Sequence, residues 1–168
     1  IKIIEGGQIM GKCHIELSKQ SIFTNLNCNT REEVLRVLSN SLLSQGFVTP
    51  NFFDGILKRE KDFPTGLQTN SIGVAIPHAD PKYIIHDSIA LGILSKPVTF
   101  YEMANISNKV DVYIVFLLAL TDATKHLRIL QKIIEIIKDE QLLKQMLKQN
   151  NEELYLLISE KLLTTDCV

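Results

Sequence analysis

Residues 110–120, VDVYIVFLLAL, are the most informative stretch of this chain, because apolar side chains follow one another there with little alternation. A strand that is apolar on both faces is typical of the centre of a sheet that helices cover on both sides. The run is about half as long as a bilayer-spanning helix, so it does not predict insertion into a membrane. We therefore expect a buried central strand here.

Three shorter runs with strand character precede this segment, at residues 21–26, 72–76 and 88–94. Only helical patterns follow it, at residues 122–138, at residues 140–149 and from Asn151 onward. Strands with helices before and after them predict an α/β fold. In this fold a mixed β-sheet is flanked by helices on both faces, which makes an α/β sandwich.

Two further helices are predicted between the first two of these strand runs. The earlier one begins with a capping box, in which Thr30 is the N-cap and Glu33 follows three residues later, and it ends at the next glycine. The later one has Thr49 as its N-cap and Pro50 at its first helical position, and it extends to about Glu60.

The chain has 168 residues and contains no internal repeat and no Gly/Ser-rich linker, which indicates one domain. We assign this domain to residues 17–163. Residues 1–16 are left unassigned, as an extra hairpin or as residues foreign to the domain. Residues 164–168 are expected to form a C-terminal tail.

Charge and cysteine content exclude several classes of function. The 18 basic and 19 acidic residues are scattered and give a formal net charge of −1, so nucleic acid is not expected as a partner. The N-terminus lacks a basic segment followed by an apolar one, and we expect a cytoplasmic protein. Cys13, Cys28 and Cys167 form no CxxC pair, which predicts reduced thiols and neither a disulfide framework nor a zinc site.

His78 is the strongest candidate for a reactive side chain. It lies in TNSIGVAIPHAD, residues 69–80, where a strand-like run ends at Pro77. Side chains at a strand end project into a crevice, and the proline restricts the backbone that carries the ring. His14 and His86 fit ordinary surface or core roles better. The usual nucleotide-binding, hydrolase and zinc-protease motifs are absent from the sequence.

His126 has two interpretations. It lies in TKHLRIL, residues 124–130, in the first turn of the helix after the central strand. Its helical spacing to Ile133 is that of a buried apolar face. The helix start, however, favours an anion through its free N–H groups and its dipole. On this second interpretation, His78, His126 and the cation Arg59 form a pocket for a phosphoryl group.

The motifs around these residues resemble a known family. LKREKDFPTGLQTNSIGVAIPHAD, residues 57–80, followed by TKHLRIL, resembles the enzyme IIA component of the bacterial sugar phosphotransferase system, in its fructose–mannitol superfamily. The resemblance covers about residues 17–163. Within the superfamily, REKDFPTGL ahead of AIPHAD is most similar to the galactitol-type branch.

The resemblance implies a phosphoryl carrier that needs no metal and no cofactor. His78 would accept a phosphoryl group from the phosphocarrier HPr and pass it to a cysteine of enzyme IIB, which works with the membrane enzyme IIC. Arg59 and His126 would surround the phosphoryl group. Close approach of the partners predicts a shallow apolar rim, to which three side chains contribute: Phe63, Ile76 and Ala79.

Two other functions remain open at this point. The first is a regulatory module similar to enzyme IIA, in which His78 carries the phosphoryl group as a signal and does not pass it on to a sugar. The second is a metallohydrolase, since HxD can chelate a divalent ion; its ligands would be His78, Asp80, His86 and His126.

Overall fold

The computed structural model describes residues 14–163. Residues 1–13 and 164–168 lie outside it, and with them Cys13, Cys167, most of the unassigned N-terminal segment and the predicted tail. The described strands are β1 Ile22–Leu26, β2 Gly66–Gln68, β3 Gly73–Ala75, β4 Ser88–Tyr101 and β5 Lys109–Ala119. The described α-helices are α1 Arg31–Ser44, α2 Phe52–Asp62, α3 Ala123–Lys138, α4 Glu140–Met146 and α5 Asn151–Ile158.

The five strands form one mixed sheet in the order β1-β4-β5-β3-β2. β1 is parallel to β4, and β3 is parallel to β5, whereas the β4–β5 and β2–β3 pairs are antiparallel. β5 is the middle strand, as its sequence predicts. Gly73 allows β3 to approach β5 closely, because a Cβ there would overlap the carbonyl oxygen of Asp111.

Alternate side chains of β5 enter two separate apolar cores. Ile114, Phe116 and Leu118 pack with the helices α3 to α5 on one face of the sheet. Val115 and Leu117 pack with α1 and α2 on the other face. Both sets are fully buried, which explains why residues 110–120 lack the alternation of a half-exposed strand. The predicted α/β sandwich is confirmed.

The predicted start of the second helix, at Pro50, is wrong. Thr49 is not its N-cap: α2 begins at Phe52, after a turn in which the Phe52 N–H donates to the Thr49 carbonyl oxygen over 3.0 Å. The Thr49 N–H is itself bonded to the Tyr83 carbonyl oxygen over 2.9 Å. This tertiary contact holds the segment around Pro50 in the turn and delays the helix.

Two strand features escape the sequence analysis. β2 has three residues, which is too short for a periodic pattern. β4 continues seven residues beyond the predicted end at Leu94, to Tyr101. Its pairing with β5 shifts register between Ile93 and Val98, around the exposed segment 95–97 that contains a proline. Such an irregularity accommodates polar residues and a proline within a strand.

The sheet brings the two candidate histidine segments to one edge. Beyond β3 the chain continues beside the carboxyl end of β5, where the Leu118 N–H donates to the Pro77 carbonyl oxygen over 2.9 Å. His78 forms an isolated bridge with Leu118. α3 begins four residues after β5 ends, so its first turn lies at the same edge. Within residues 14–163, no helix is long and apolar enough to cross a membrane.

Candidate functional site

The imidazole of His78 is half-buried and has a defined tautomer. Its Nδ1 lies 3.1 Å from the carbonyl oxygen of Ile76. Because a carbonyl oxygen can only accept, the Nδ1–H must donate in this bond. In the neutral ring the lone pair therefore resides on Nε2, which is the nitrogen atom available as a nucleophile.

The surroundings keep this ring neutral at physiological pH. Burial is the largest cause, and it lowers the pKa of His78 to about 4. The hydrogen bond to Ile76 opposes this shift, whereas the nearby His126 and Arg59 reinforce it. The charge of Asp80 has a small opposite effect. A neutral His78 retains its Nε2 lone pair well below pH 7.

His126 lies beside His78, at the start of α3. Asp122 caps this helix by accepting from the Lys125 N–H over 2.9 Å. The two imidazole centroids are 4.8 Å apart, and the rings are tilted by 60°. Burial and, to a lesser extent, the charge of Arg59 lower the pKa of His126. His126 is half-buried at the cleft, whereas Ile133 is fully buried on the same helix.

Arg59 reaches the same cleft from the last turn of α2. Its Nη1 lies 3.3 Å from Asp80 Oδ1, and its guanidinium stacks over the Phe63 ring at 5.6 Å from the centroid. Its buried Nε has no hydrogen-bond partner among the described residues. The guanidinium has five N–H donors and Asp80 accepts only from Nη1, so an anion in the cleft can bind to the remaining Nη donors.

These side chains line an open cleft of about 330 Å³. His78, His126 and Arg59, the three predicted site residues, all lie in it. The structure thus brings together residues from three separate segments of the chain. Asp80 and Leu127 also line the cleft.

The predicted apolar rim is correct for one of its three members. Phe63 is 66% exposed, whereas Ile76 and Ala79 are buried, and of these two only Ala79 lines the cleft, with little exposed surface. Leu127, which is 56% exposed beside His126, supplies the apolar surface that these two do not. A leucine that falls off the buried stripe of α3 is the sequence signal that could have found it.

Asp87 supports the site, although the sequence analysis did not single it out. Its carboxylate accepts from the Thr121 N–H, the Thr121 hydroxyl and the Lys125 ammonium, over 2.7, 2.8 and 2.5 Å. Burial alone would raise the pKa of Asp87, but these bonds hold it below its usual value. Asp87 therefore fixes the β5–α3 loop to the first turn of α3, which carries His126. No local pattern links the three residues.

The four residues of the metallohydrolase hypothesis are not brought together. His86 is exposed and meets the Phe47 ring edge-on, with 6.3 Å between the centroids, and it does not line the cleft. Within residues 14–163, no group of three or more His, Cys, Asp or Glu side chains is arranged to hold a metal ion.

The fold and the cleft agree with a comparison to known families. Residues 16–161 match the family model described as "Phosphoenolpyruvate-dependent sugar phosphotransferase system, EIIA 2". The chain belongs to this family. The prediction of an enzyme IIA component is thereby confirmed, and a general role in phosphoryl transfer follows for this enzyme IIA.

Several known proteins are similar to this enzyme IIA. The galactitol-specific EIIA component of Escherichia coli strain K12 is 29% identical over 103 residues, which are 60% of this chain and 67% of that protein. The structure of the E. coli complex of enzyme IIAMTL and phosphorylated enzyme IIBMTL matches with a TM-score of 0.71 at 20% identity, over 89% of this chain and 99% of that one. The nitrogen regulatory protein IIA-Ntr from Neisseria meningitidis matches with a TM-score of 0.67 at 20% identity, over 84% and 94%. The two structural likenesses bear on the fold, and the galactitol-specific relative agrees with the predicted branch.

Proposed function

We propose that this enzyme IIA carries a phosphoryl group on Nε2 of His78, accepts it from HPr and passes it to a cysteine of enzyme IIB. One observation supports this most directly: the Nδ1–H of His78 is engaged by the Ile76 carbonyl oxygen, so the lone pair resides on Nε2. That nitrogen belongs to a neutral ring in an open cleft, beside a second imidazole and a guanidinium.

The chemistry needs only correct positioning and charge neutralisation. In the first step the Nε2 lone pair forms a bond to phosphorus, while the bond between phosphorus and the donor breaks and leaves its electron pair on the donor. In the second step a cysteine thiolate attacks the phosphorus, and the electron pair of the N–P bond returns to Nε2. A neutral imidazole leaves readily, which suits a carrier.

Arg59 and His126 stabilise the phosphoryl oxygens in both steps. The free donor capacity of Arg59 and the ring N–H of His126 supply hydrogen bonds where negative charge accumulates. Asp80, which holds Arg59 when no phosphoryl group is present, competes with the phosphoryl oxygens for the same guanidinium.

The cargo is a sugar or polyol of the galactitol type, taken up through a membrane enzyme IIC, with this protein acting in the cytoplasm. The galactitol-specific relative supports this choice. The Leu127 side chain, exposed next to the cleft, suits a small and transient contact with HPr or enzyme IIB.

A reconstituted phosphorylation assay tests the proposal. The protein is incubated with phosphoenolpyruvate, enzyme I and HPr, and bound phosphate is measured. We expect phosphate on the wild type and on His86→Ala, an exposed histidine outside the cleft, and none on His78→Ala. A galactitol-type enzyme IIB should then remove the phosphate. If no enzyme IIB removes it, a regulatory role for phospho-His78 replaces transport.

A further inference from the structure

Glu60 is a buried acid next to Arg59 on the last turn of α2. Arg59 lines the cleft, whereas Glu60 is only 2% exposed and points into the protein. Burial is the main cause that raises the pKa of Glu60 to about 7. A carboxyl group in such a place costs folding free energy, and an apolar side chain of similar size often serves stability better. The hydrogen bonds that Glu60 makes inside the protein explain why a carboxyl group is present at this buried position.

Both oxygens of this carboxyl group are engaged by one residue, Thr65. Glu60 Oε1 accepts from the Thr65 N–H over 3.0 Å, and Oε2 accepts from the Thr65 hydroxyl over 2.8 Å. Thr65 is also only 2% exposed. The pair thus joins the end of α2 to the start of β2 through two hydrogen bonds shielded from water.

The connection continues from Thr65 to His78. The Ile76 N–H donates to the Thr65 hydroxyl oxygen over 3.2 Å and to the Thr65 carbonyl oxygen over 3.3 Å. The carbonyl oxygen of the same Ile76 accepts the Nδ1–H of His78 over 3.1 Å. Thr65 therefore fixes the backbone of Ile76, whose carbonyl oxygen orients the His78 ring.

We infer that Glu60 and Thr65 form a buried clamp that positions His78 relative to Arg59. The clamp links the two sides of the cleft. On one side Glu60 is adjacent to Arg59 on α2, and on the other side Thr65 binds Ile76, which orients His78. This role rests on the proposed function of His78. Glu60 and Thr65 are positioning residues, since neither lines the cleft.

The clamp affects His78 in two linked ways. It holds the Ile76 carbonyl oxygen where it keeps the proton on Nδ1, and so keeps the lone pair on Nε2. It also sets the distance between the nucleophile and the guanidinium. A misplacement of about 1 Å between reacting groups can slow a reaction by about a hundredfold.

Thr65→Val tests the clamp, because valine has a similar shape but lacks the hydroxyl that binds both Glu60 and Ile76. Thr65→Ser restores the hydroxyl. Ile56→Val serves as the matched control, since Ile56 is fully buried one turn earlier on α2 and makes no part of the clamp. Three quantities are measured: the His78 ring tautomer by ¹⁵N NMR in the unphosphorylated protein, the single-turnover rate of phosphoryl transfer, and the melting temperature.

We expect Thr65→Val to reduce the Nδ1–H tautomer of His78 and to slow transfer by about tenfold to a hundredfold. Thr65→Ser should stay within about twofold of the wild-type rate, and Ile56→Val should lower only the melting temperature. If Thr65→Val does not fold, Glu60→Met, which keeps the length of the side chain but removes both acceptor oxygens, takes its place with the same expectations. An unchanged tautomer or an unchanged rate in the clamp variant overturns the inference. If the wild type takes no phosphate on His78, the proposed function fails, while the tautomer measurement still tests the clamp.

Discussion

The imidazole rings of His78 and His126 lie 4.8 Å apart, centroid to centroid, although one follows a short strand and the other begins a helix much later in the chain. The sheet creates this proximity, because β3 and β5 are parallel neighbours whose carboxyl ends meet at one edge. Side chains beyond such strand ends form the crevice in which α/β proteins bind ligands.

His78 should titrate far below an ordinary histidine. Its pKa is lowered to about 4, mainly by burial, so the ring should remain neutral and reactive at pH 5.5. An NMR pH titration of the His78 ring measures this, and we expect a midpoint near 4. A midpoint near 6.5, the value of an unperturbed histidine, would show that the ring is solvated and contradict the account.

The same shift makes stability depend on pH in a defined direction. Between about pH 4 and 6.5 the unfolded His78 binds a proton that the folded one does not. The free energy of unfolding contributed by this residue therefore falls as the pH drops through that window. Replacement by glutamine, which does not titrate, should make the loss of stability in acid less steep.

Arg59→Ala should affect transfer far more than folding. Its ion pair with Asp80 is partly exposed, and pairs of this kind contribute less than about 1 kcal/mol to stability. Loss of a donor to the developing phosphoryl charge should slow transfer by about a hundredfold. Stopped-flow or quenched-flow transfer rates and a melting curve measure the two effects. Lys61→Ala, which removes an exposed cation near the end of the same helix, is the control, and equal losses in both variants would refute the role of Arg59.

His126→Gln separates the two interpretations of His126. Glutamine keeps an N–H donor, so the variant should fold and should still accept phosphate on His78. Onward transfer should slow by about tenfold to a thousandfold, because one preorganised donor is displaced. If His126 only fills an apolar face, transfer will keep its wild-type rate and the free energy of unfolding will fall by about 1 to 3 kcal/mol.

Asp87→Asn should weaken the contact between the β5–α3 loop and the first turn of α3, which carries His126. The carboxylate accepts three hydrogen bonds, one from an ammonium, so we expect the free energy of unfolding at pH 7 to fall by about 1 to 3 kcal/mol. The difference should shrink in acid, because the lowered pKa of Asp87 gives stability that is lost as the carboxylate is protonated. Denaturant unfolding at pH 7 and at an acid pH measures this difference, and the exposed Asp111→Asn is the control. A difference that is constant with pH would argue against the ion pair.

The sequence predicts the middle of the fold well and its margins less well. Residues 110–120 identify the central strand because burial on both faces leaves Asp111, near the start of the strand, as its one charged residue. β2 and the start of α2 escape prediction because a neighbouring strand and the carbonyl oxygen of Tyr83 stabilise them. Such partners are close only in the folded chain.

The sequence likewise predicts some residues of the candidate site and misses others. His78 can be predicted because a proline ends its strand, and Arg59 and His126 through the motifs that accompany it. Asp87 and the Glu60–Thr65 pair cannot be predicted, because their roles depend on hydrogen bonds across loops. Buried polar groups must find partners, but the sequence does not say which ones.

The phosphoryl group should reside on Nε2 of His78. The most direct test is to phosphorylate ¹⁵N-labelled protein with phosphoenolpyruvate, enzyme I and HPr, and to record ¹⁵N and ³¹P NMR spectra. We predict one phosphohistidine, with phosphorus coupled to Nε2 of His78 and a bond that survives alkali and breaks in acid. Phosphorus on another residue, or a bond that resists acid, would contradict the account.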